Sequence, residues 1–313
     1  MSGPTIPISS ITIPSMVILG SFLFCAKGIV VKLMFAEGLT PSGVMALRML
    51  TATPVFMIML ALRWKNISKI SRKDWGLMAL LSFAGYFLCS LLNMTGLQYV
   101  SVGLERVILF SYPSIVLAGS ILFQGARPSG KMYAACGLSW VGLTLIIREE
   151  ISFAGDASLI LLGSSLVLLS AIIYAGYILV AKPVIQRIGV PLYTGITMVF
   201  CAITILSYFS VNDGNFRSLF SSNIVIGYGA AIGIFGTVIP LLMLSYALSR
   251  INTSSYAIIS SIGPVATILI ATIYVGKMPE GLQLLGVLLS VAGGLLATKQ
   301  GRPPKPKLQP AKA

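Results

Sequence analysis

Ten stretches of the chain are almost continuously apolar, and short polar or basic segments separate them. They fall at roughly 14–35, 42–62, 76–96, 102–123, 130–147, 158–181, 192–210, 223–247, 253–275 and 280–298. A helix rises about 1.5 Å per residue and needs about 20 apolar residues to cross the hydrocarbon core of a bilayer. The pattern therefore predicts an all-α membrane protein with ten transmembrane helices. Pro14, Pro41, Pro191 and Pro279 stand where segments begin. That suits a first helical turn, whose N–H groups have no intrahelical partner anyway. Most connections are short, so neighbouring segments are expected to run antiparallel.

The pattern also repeats. Lys32 recurs as Lys182 and Pro41 as Pro191, an offset of 150. Leu97 recurs as Leu248, Pro113 as Pro264, Gly125 as Gly276 and Pro128 as Pro279, an offset of 151. Apolar residues match by chance in such a chain; Pro, Lys and Gly at one nearly constant offset do so far less readily. Each copy holds five segments. Five is odd, so the second copy enters the membrane from the opposite side, giving two inverted five-helix repeats. The expected organisation is a short cytoplasmic N-terminus (1–13), a first repeat (14–147), a second repeat (158–298) and a basic Pro/Lys-rich cytoplasmic tail (299–313). Inverted repeats of this kind build secondary transporters, with the substrate site where the halves meet.

Composition agrees with the bilayer as solvent. Of 313 residues, 56% are hydrophobic and 10% charged, against about 25% charged in a soluble domain. The net charge of +14 sits between and after the apolar segments, which reads as membrane orientation rather than nucleic-acid binding. Fifteen Lys and Arg fall on the side that includes both termini, and three (Arg148, Arg217 and Lys277) on the other. The positive-inside rule then expects both termini in the cytoplasm of a multi-pass protein of the cell inner (plasma) membrane. The N-terminus carries no basic residue and resembles neither a signal nor a transit peptide. Cys25, Cys89, Cys136 and Cys201 lie inside apolar segments without ligand spacing, and the chain has no histidine. No metal and no cofactor are expected.

Three stretches carry a family resemblance. FCAKGIVVKLMFAEGLTPSGVMALRML (24–50) is similar to the opening of EamA-type members of the drug/metabolite transporter superfamily, with a Lys late in helix 1, a Pro opening helix 2 and an Arg inside it. GLQYVSVGLERVILFSYPSIV (96–116) resembles their helix 3–4 junction, and YALSRINTSSYAIISSIGPVATIL (246–269) the matching junction of the second repeat. The resemblance runs over roughly 14–298. It implies ten helices, two inverted repeats, cytoplasmic termini and transport of small metabolites. The sequence departs from the family where Gly-Glu reads Gly125-Ala126 and Gly276-Lys277, where Trp-Gly reads Phe24-Cys25, and where position 27 is lysine.

Lys27 is the sharpest candidate for chemistry. It stands about thirteen residues into the first segment, near mid-bilayer, too deep to snorkel easily. It either binds a substrate anion or is a structural lysine bonded to broken-helix carbonyls. Lys32 points about 140° away and lies near the outer end, within reach of Glu37. Arg48 can reach the outer interface or a central cavity. Apart from Glu280 at the first position of the last segment, Glu105 is the one acid inside the predicted helices. It reads as a proton-coupling carboxylate, as a counter-ion for Lys27 or Arg48, or as an interfacial residue favoured by the helix dipole. Its neighbour Arg106 diverges from it by about 100° and is not expected to pair with it. Tyr86, Ser90 and Asn93 share one helical face, as do Tyr256, Ser260 and Thr267; Tyr112, Tyr174 and Tyr177 add phenols. These groups either bond a substrate or join helices. Pro113 and Pro264, matched in the repeats, are the expected hinges near a binding site. Gly229 and Gly233 form a GxxxG pair that suggests close helix packing.

Four basic residues (Lys27, Lys32, Arg48 and Arg106) against Glu105 leave +3 within the membrane segments. This favours a small-molecule substrate carrying a carboxylate or phosphate. The leading expectation is an exporter of amino acids or organic anions that works by alternating access, without an ATP-binding motif. An intramembrane enzyme or a non-transporting sensor are the alternatives. A homodimer is a further expectation. The charge count predicts that a C-terminal alkaline phosphatase fusion is inactive while a C-terminal fluorescent-protein fusion glows; the reverse pattern contradicts the cytoplasmic placement.

Overall fold

Backbone N–H and C=O groups in hydrocarbon have no water to bond, so a spanning chain must satisfy them internally. This one does so as helices. The computed structural model describes residues 8–109, 111, 112, 114, 115, 118, 130–154, 156–250 and 281–300, and its regular elements among these are all helical. They are α1 (Ile8–Ala36), α2 (Pro41–Ala61), α3 (Arg72–Tyr99), α4 (Val102–Leu109), α5 (Gly130–Ala154), α6 (Ala157–Ile188), α7 (Val190–Asn212), α8 (Asn223–Arg250) and α9 (Gly281–Gln300). Six of them, α1 (from Ile13), α2, α3, α6, α7 and α8, are long and apolar enough to cross a membrane. The predicted segment at 253–275 and the last five residues of the one at 102–123, with 110, 113, 116 and 117, lie outside the described residues.

Polar caps set several helix starts. The Thr40 hydroxyl accepts from Gly43 N–H (3.0 Å), with Pro41 in the first turn of α2. Ser71 accepts from Asp74 N–H (3.1 Å) at α3, so Arg72 and Lys73 belong to that helix rather than to the loop expected before 76. Asp156 accepts from the N–H groups of Ser158 and Leu159 at α6. A hydrogen bond from the Ser158 hydroxyl, then the one from Leu159 N–H, hold its carboxyl below the usual range. Three other expected bounds shift by six residues or more. α1 begins at Ile8, so Pro14 lies inside it, α5 runs on to Ala154 rather than 147, and α6 runs through Pro183 to Ile188. Lys182 and Arg187 therefore ride on the last turns of α6. That helix ends at Gly189, whose φ of +87° suits a residue without Cβ.

The repeat is visible in these bounds. α3 and α8 are both 28 residues long and begin and end 151 residues apart. α5 and α9 begin 151 apart, at Gly130 and Gly281. Each of α3 and α8 widens into a π-helical stretch, at Ser82–Leu88 and Ile234–Val238. Packing follows the exchange of halves: α3 lies on α6 and α8 on α1, while α2 packs on α7 and α5 on α9, its own counterparts.

Apolar side chains gain little by leaving lipid, so close approach and interhelical hydrogen bonds hold these pairs. Gly96 and Gly163 let α3 and α6 meet backbone to backbone: a Cβ on either would stand 2.7–2.9 Å from the other's carbonyl oxygen. Gly229 and Gly233 do the same for α8 on α2. A Cβ at Gly233 would sit 1.9 Å from Thr51 Oγ1, and that hydroxyl donates across the interface to Gly229 O (2.9 Å). The GxxxG pair is thus a packing motif. Outward-facing Leu162, Leu169, Ile172 and Ile203 give the bundle an apolar exterior.

Gly233→Val should therefore lower stability by about 1–3 kcal/mol, the usual cost of overpacking, read as a drop in thermal midpoint in detergent. Gly227→Ala, on the same helix with nothing within 4 Å of its Cβ, should leave the midpoint unchanged.

Candidate functional site

α1, α2 and α3 of the first copy face α6, α7 and α8 of the second across a cavity of about 140 Å³. The repeat governs its lining. Phe24, Lys27 and Arg48 have Tyr174, Tyr177 and Met198 as counterparts at the 150 offset, and all six line it. Gly85, Tyr86, Ser90 and Asn93 have Gly236, Thr237, Leu241 and Leu244 at the 151 offset, again all lining. The two walls match in position but not in chemistry. The first copy supplies the cations, the amide and the phenols of Tyr86 and Tyr112; the second supplies the phenols of Tyr174 and Tyr177, aliphatic groups and the Thr237 hydroxyl, but no charge.

The cationic wall is buried. Lys27 is 6% exposed and Arg48 5%. Lys27 Nζ lies 4.2 Å from the centroid of the Phe24 ring, close enough for a cation–π attraction. Arg48 donates from Nη2 to Ser90 Oγ (3.2 Å), while its Nε has no hydrogen-bond partner in the protein. Of the two placements open for Arg48, the structure shows the cavity.

Glu105 stands behind this wall and is fully buried. Asn93, which does line the cavity, donates from Nδ2 to Glu105 Oε1 (2.6 Å). The other carboxylate oxygen lies 2.9 Å from Arg106 Nε. The expectation that these neighbours would not pair is corrected here. Their Cβ directions diverge, but both side chains are long, and in a low dielectric the opposite charges draw them together. The contact is ionic rather than a directed hydrogen bond, since neither Glu105 Oε2 nor Arg106 Nε meets hydrogen-bond geometry. Arg106 also lies 5.5 Å from the Phe24 centroid, so one ring serves two cations.

Tyrosines from both copies line the rest of the cavity. Tyr86 and Tyr177 share a hydrogen bond, and Tyr193 donates to Tyr177 (3.3 Å) from α7. Tyr112 meets Tyr174 edge to face at 5.6 Å, and Tyr174 lies parallel to Tyr177 at 6.0 Å. Tyr86, Tyr112, Tyr174 and Tyr177 all line the cavity. The other proposed site residues, Tyr256 and Ser260, and the proposed hinges Pro113 and Pro264, lie outside the described residues. Sequence reasoning missed Thr237 and Gly236, although their 151 offset from Tyr86 and Gly85 was available as a signal. It also missed Cys89 and Ser170 as lining partners, Sγ to Oγ 3.0 Å; as small residues in apolar runs they give no signal.

Comparison with known proteins decides the family. The EamA-like transporter family matches residues 12–148 and again 161–299. The chain belongs to the EamA-like transporter family. It is 26% identical over 274 residues to the uncharacterized transporter YcbK of Bacillus subtilis (strain 168), covering 86% of this chain and 87% of that one. It is 24% identical over 304 residues to the uncharacterized transporter sll1319 of Synechocystis, covering 87% and 89%. A solved crystal structure shares the fold at a TM-score of 0.66 and 15% identity, over 91% of this chain and 97% of that one. With its apolar helices, this EamA-like protein is a multi-pass membrane protein.

Removing one partner of a buried ion pair leaves an uncompensated charge. Arg106→Met should therefore destabilise the protein by about 3–5 kcal/mol, while adding Glu105→Gln to it should recover most of the loss. Thermal midpoints of the single and double variants check this; equal loss in both would show that the pair is not the source.

Proposed function

We propose that this EamA-like protein is a secondary transporter that exports small polar metabolites bearing an acidic group, amino acids or organic anions, by alternating access. One observation carries the reading: three cations and one carboxylate are buried together, the carboxylate is held by Arg106 and Asn93, and Lys27 and Arg48 face the cavity between the halves. Ionised groups held away from water and unmatched by protein carboxylates favour an anionic guest.

The inverted arrangement of the halves is part of this reading, supported by the matched helix bounds and the exchanged packing partners. So is the orientation in the inner membrane with both termini cytoplasmic, supported by the Lys/Arg distribution. In that orientation the cytoplasmic ends of the halves are tied by Arg187 and Asp74 (2.7 Å). On the other side Asp213, at the end of α7, accepts hydrogen bonds from the hydroxyls of Thr40 and Ser42 at the start of α2. The π-helical stretches of α3 and α8 act as the matched weak points where these helices bend, because π-helical turns hold poorer hydrogen bonds and gather at functional sites. Energy comes from a solute gradient or exchange.

Counterflow of radiolabelled amino acids and organic anions in proteoliposomes tests the function. Lys27→Met should raise the KM for an anionic substrate by roughly tenfold or more, the value of a charge-assisted hydrogen bond. Lys32→Met, outside the cavity lining, should raise it less. Transport constants unchanged in Lys27→Met would remove that amine from the site. Hydrogen exchange tests the hinges: amides of 82–88 and 234–238 should exchange faster than the flanking turns and slow when substrate binds. Uniform protection along α3 and α8 would refute the hinge role.

A further inference from the structure

We infer that the cavity selects an amphipathic organic anion: one acidic group, a flat apolar or aromatic body, and no ammonium group. The inference rests on the reading of the cavity as an anion site and narrows its substrate class. It follows from the unequal chemistry of two walls that the repeat places opposite each other.

The acidic end is set by the first copy. Lys27 and Arg48 supply charge, and Ser90 and Asn93 supply a hydroxyl and an amide beside them. An ammonium group would need an acceptor of opposite charge in the same space. Glu105 is the only buried carboxylate among the described residues. It is not in the lining, and Arg106 and Asn93 already occupy its two oxygens. An amino acid would therefore bring its ammonium next to two cations and leave it without a counter-charge, the costliest arrangement in a dry site.

The apolar end is set by the second copy together with Tyr86 and Tyr112 of the first. Where the first copy places Lys27, Arg48, Ser90 and Asn93, the second places Tyr177, Met198, Leu241 and Leu244. The tyrosine rings do not form an open cage for a cation. Tyr86 leans on Tyr177 at 63° and Tyr112 on Tyr174 at 82°, so in each pair one ring covers a face of the other. The phenol of Tyr177 is occupied by Tyr86 and Tyr193. The lining hydroxyls of Thr237 and Ser170 donate to the carbonyls of Ile232 and Cys89 (2.8 and 3.0 Å), so the surface left toward the cavity is chiefly ring and aliphatic, which takes a flat apolar group. On α3, Tyr86 and Asn93 stand two turns apart, about 10 Å by helical rise. That separation fits a carboxylate joined to a ring through a short chain.

Three probes that differ by one group each test this on the purified full chain in detergent. They are 3-phenylpropanoate, L-phenylalanine (the same skeleton with an ammonium) and propanoate (the same acid without the ring), with Kd measured by isothermal titration calorimetry. 3-Phenylpropanoate should bind at least about tenfold more tightly than either of the others, because only it satisfies both walls. Lys27→Gln should weaken 3-phenylpropanoate at least about tenfold, and Tyr174→Leu should shrink its advantage over propanoate. Phenylalanine binding as tightly as 3-phenylpropanoate overturns the exclusion of ammonium while leaving an anion site standing. Propanoate binding equally well overturns the apolar end. Failure of all three to bind, or a Kd indifferent to Lys27→Gln, overturns the anion-site reading and this inference with it.

Discussion

Lys27, Arg48 and Arg106 are buried together with a single carboxylate, Glu105, and the rest of the site follows from how that imbalance is arranged. Glu105 sits behind the cavity wall, with Arg106 on one oxygen and Asn93 on the other. That pairing is nearly neutral and can be enclosed by protein. Lys27 and Arg48 are left with an aromatic ring and a serine hydroxyl as their near partners, on the edge of the cavity. A helix bundle in lipid could lower its energy by replacing both with leucine. Keeping them is costly unless a guest anion completes the site.

Duplication supplies the space. When α3 lies on α6 and α8 lies on α1, these four helices with α2 and α7 border a chamber whose walls come from equivalent positions. The same exchange places a π-helical stretch on each side, so the chamber has a matched point of give in both halves. Divergence between the copies then supplies the chemistry. Position 27 carries an amine where its counterpart is Tyr177, and position 48 a guanidinium where its counterpart is Met198. A symmetric scaffold thereby carries a polar wall against an apolar one.

The coarse architecture was legible because hydrophobic length and Pro, Lys and Gly at a fixed offset report directly on bilayer crossing and on duplication. Lys27 was legible because a charge so far from either segment end has few uses. The Glu105–Arg106 contact was not, since helical phase gives Cβ directions and says nothing of where long side chains fold once buried. The π-helical stretches were equally hidden, since an extra residue in a turn leaves an apolar run looking apolar. α1 starts before Pro14, expected to open it, and α6 runs past the expected end at 181 and through Pro183, because neighbouring helices and local adjustment let proline stand inside a membrane helix.

The central claim is that the cavity is electropositive, and the thiol of Cys89 in its lining can report the sign directly. In a variant keeping Cys89 as its only cysteine, the rate of modification by a sulfonate-bearing methanethiosulfonate is divided by the rate for its trimethylammonium-bearing analogue. The same ratio at a cysteine placed on the exposed loop between α2 and α3 removes the intrinsic difference between the reagents. An electropositive cavity predicts a normalised ratio well above one that falls on Lys27→Met. A ratio at or below one, unmoved by Lys27→Met, would contradict it.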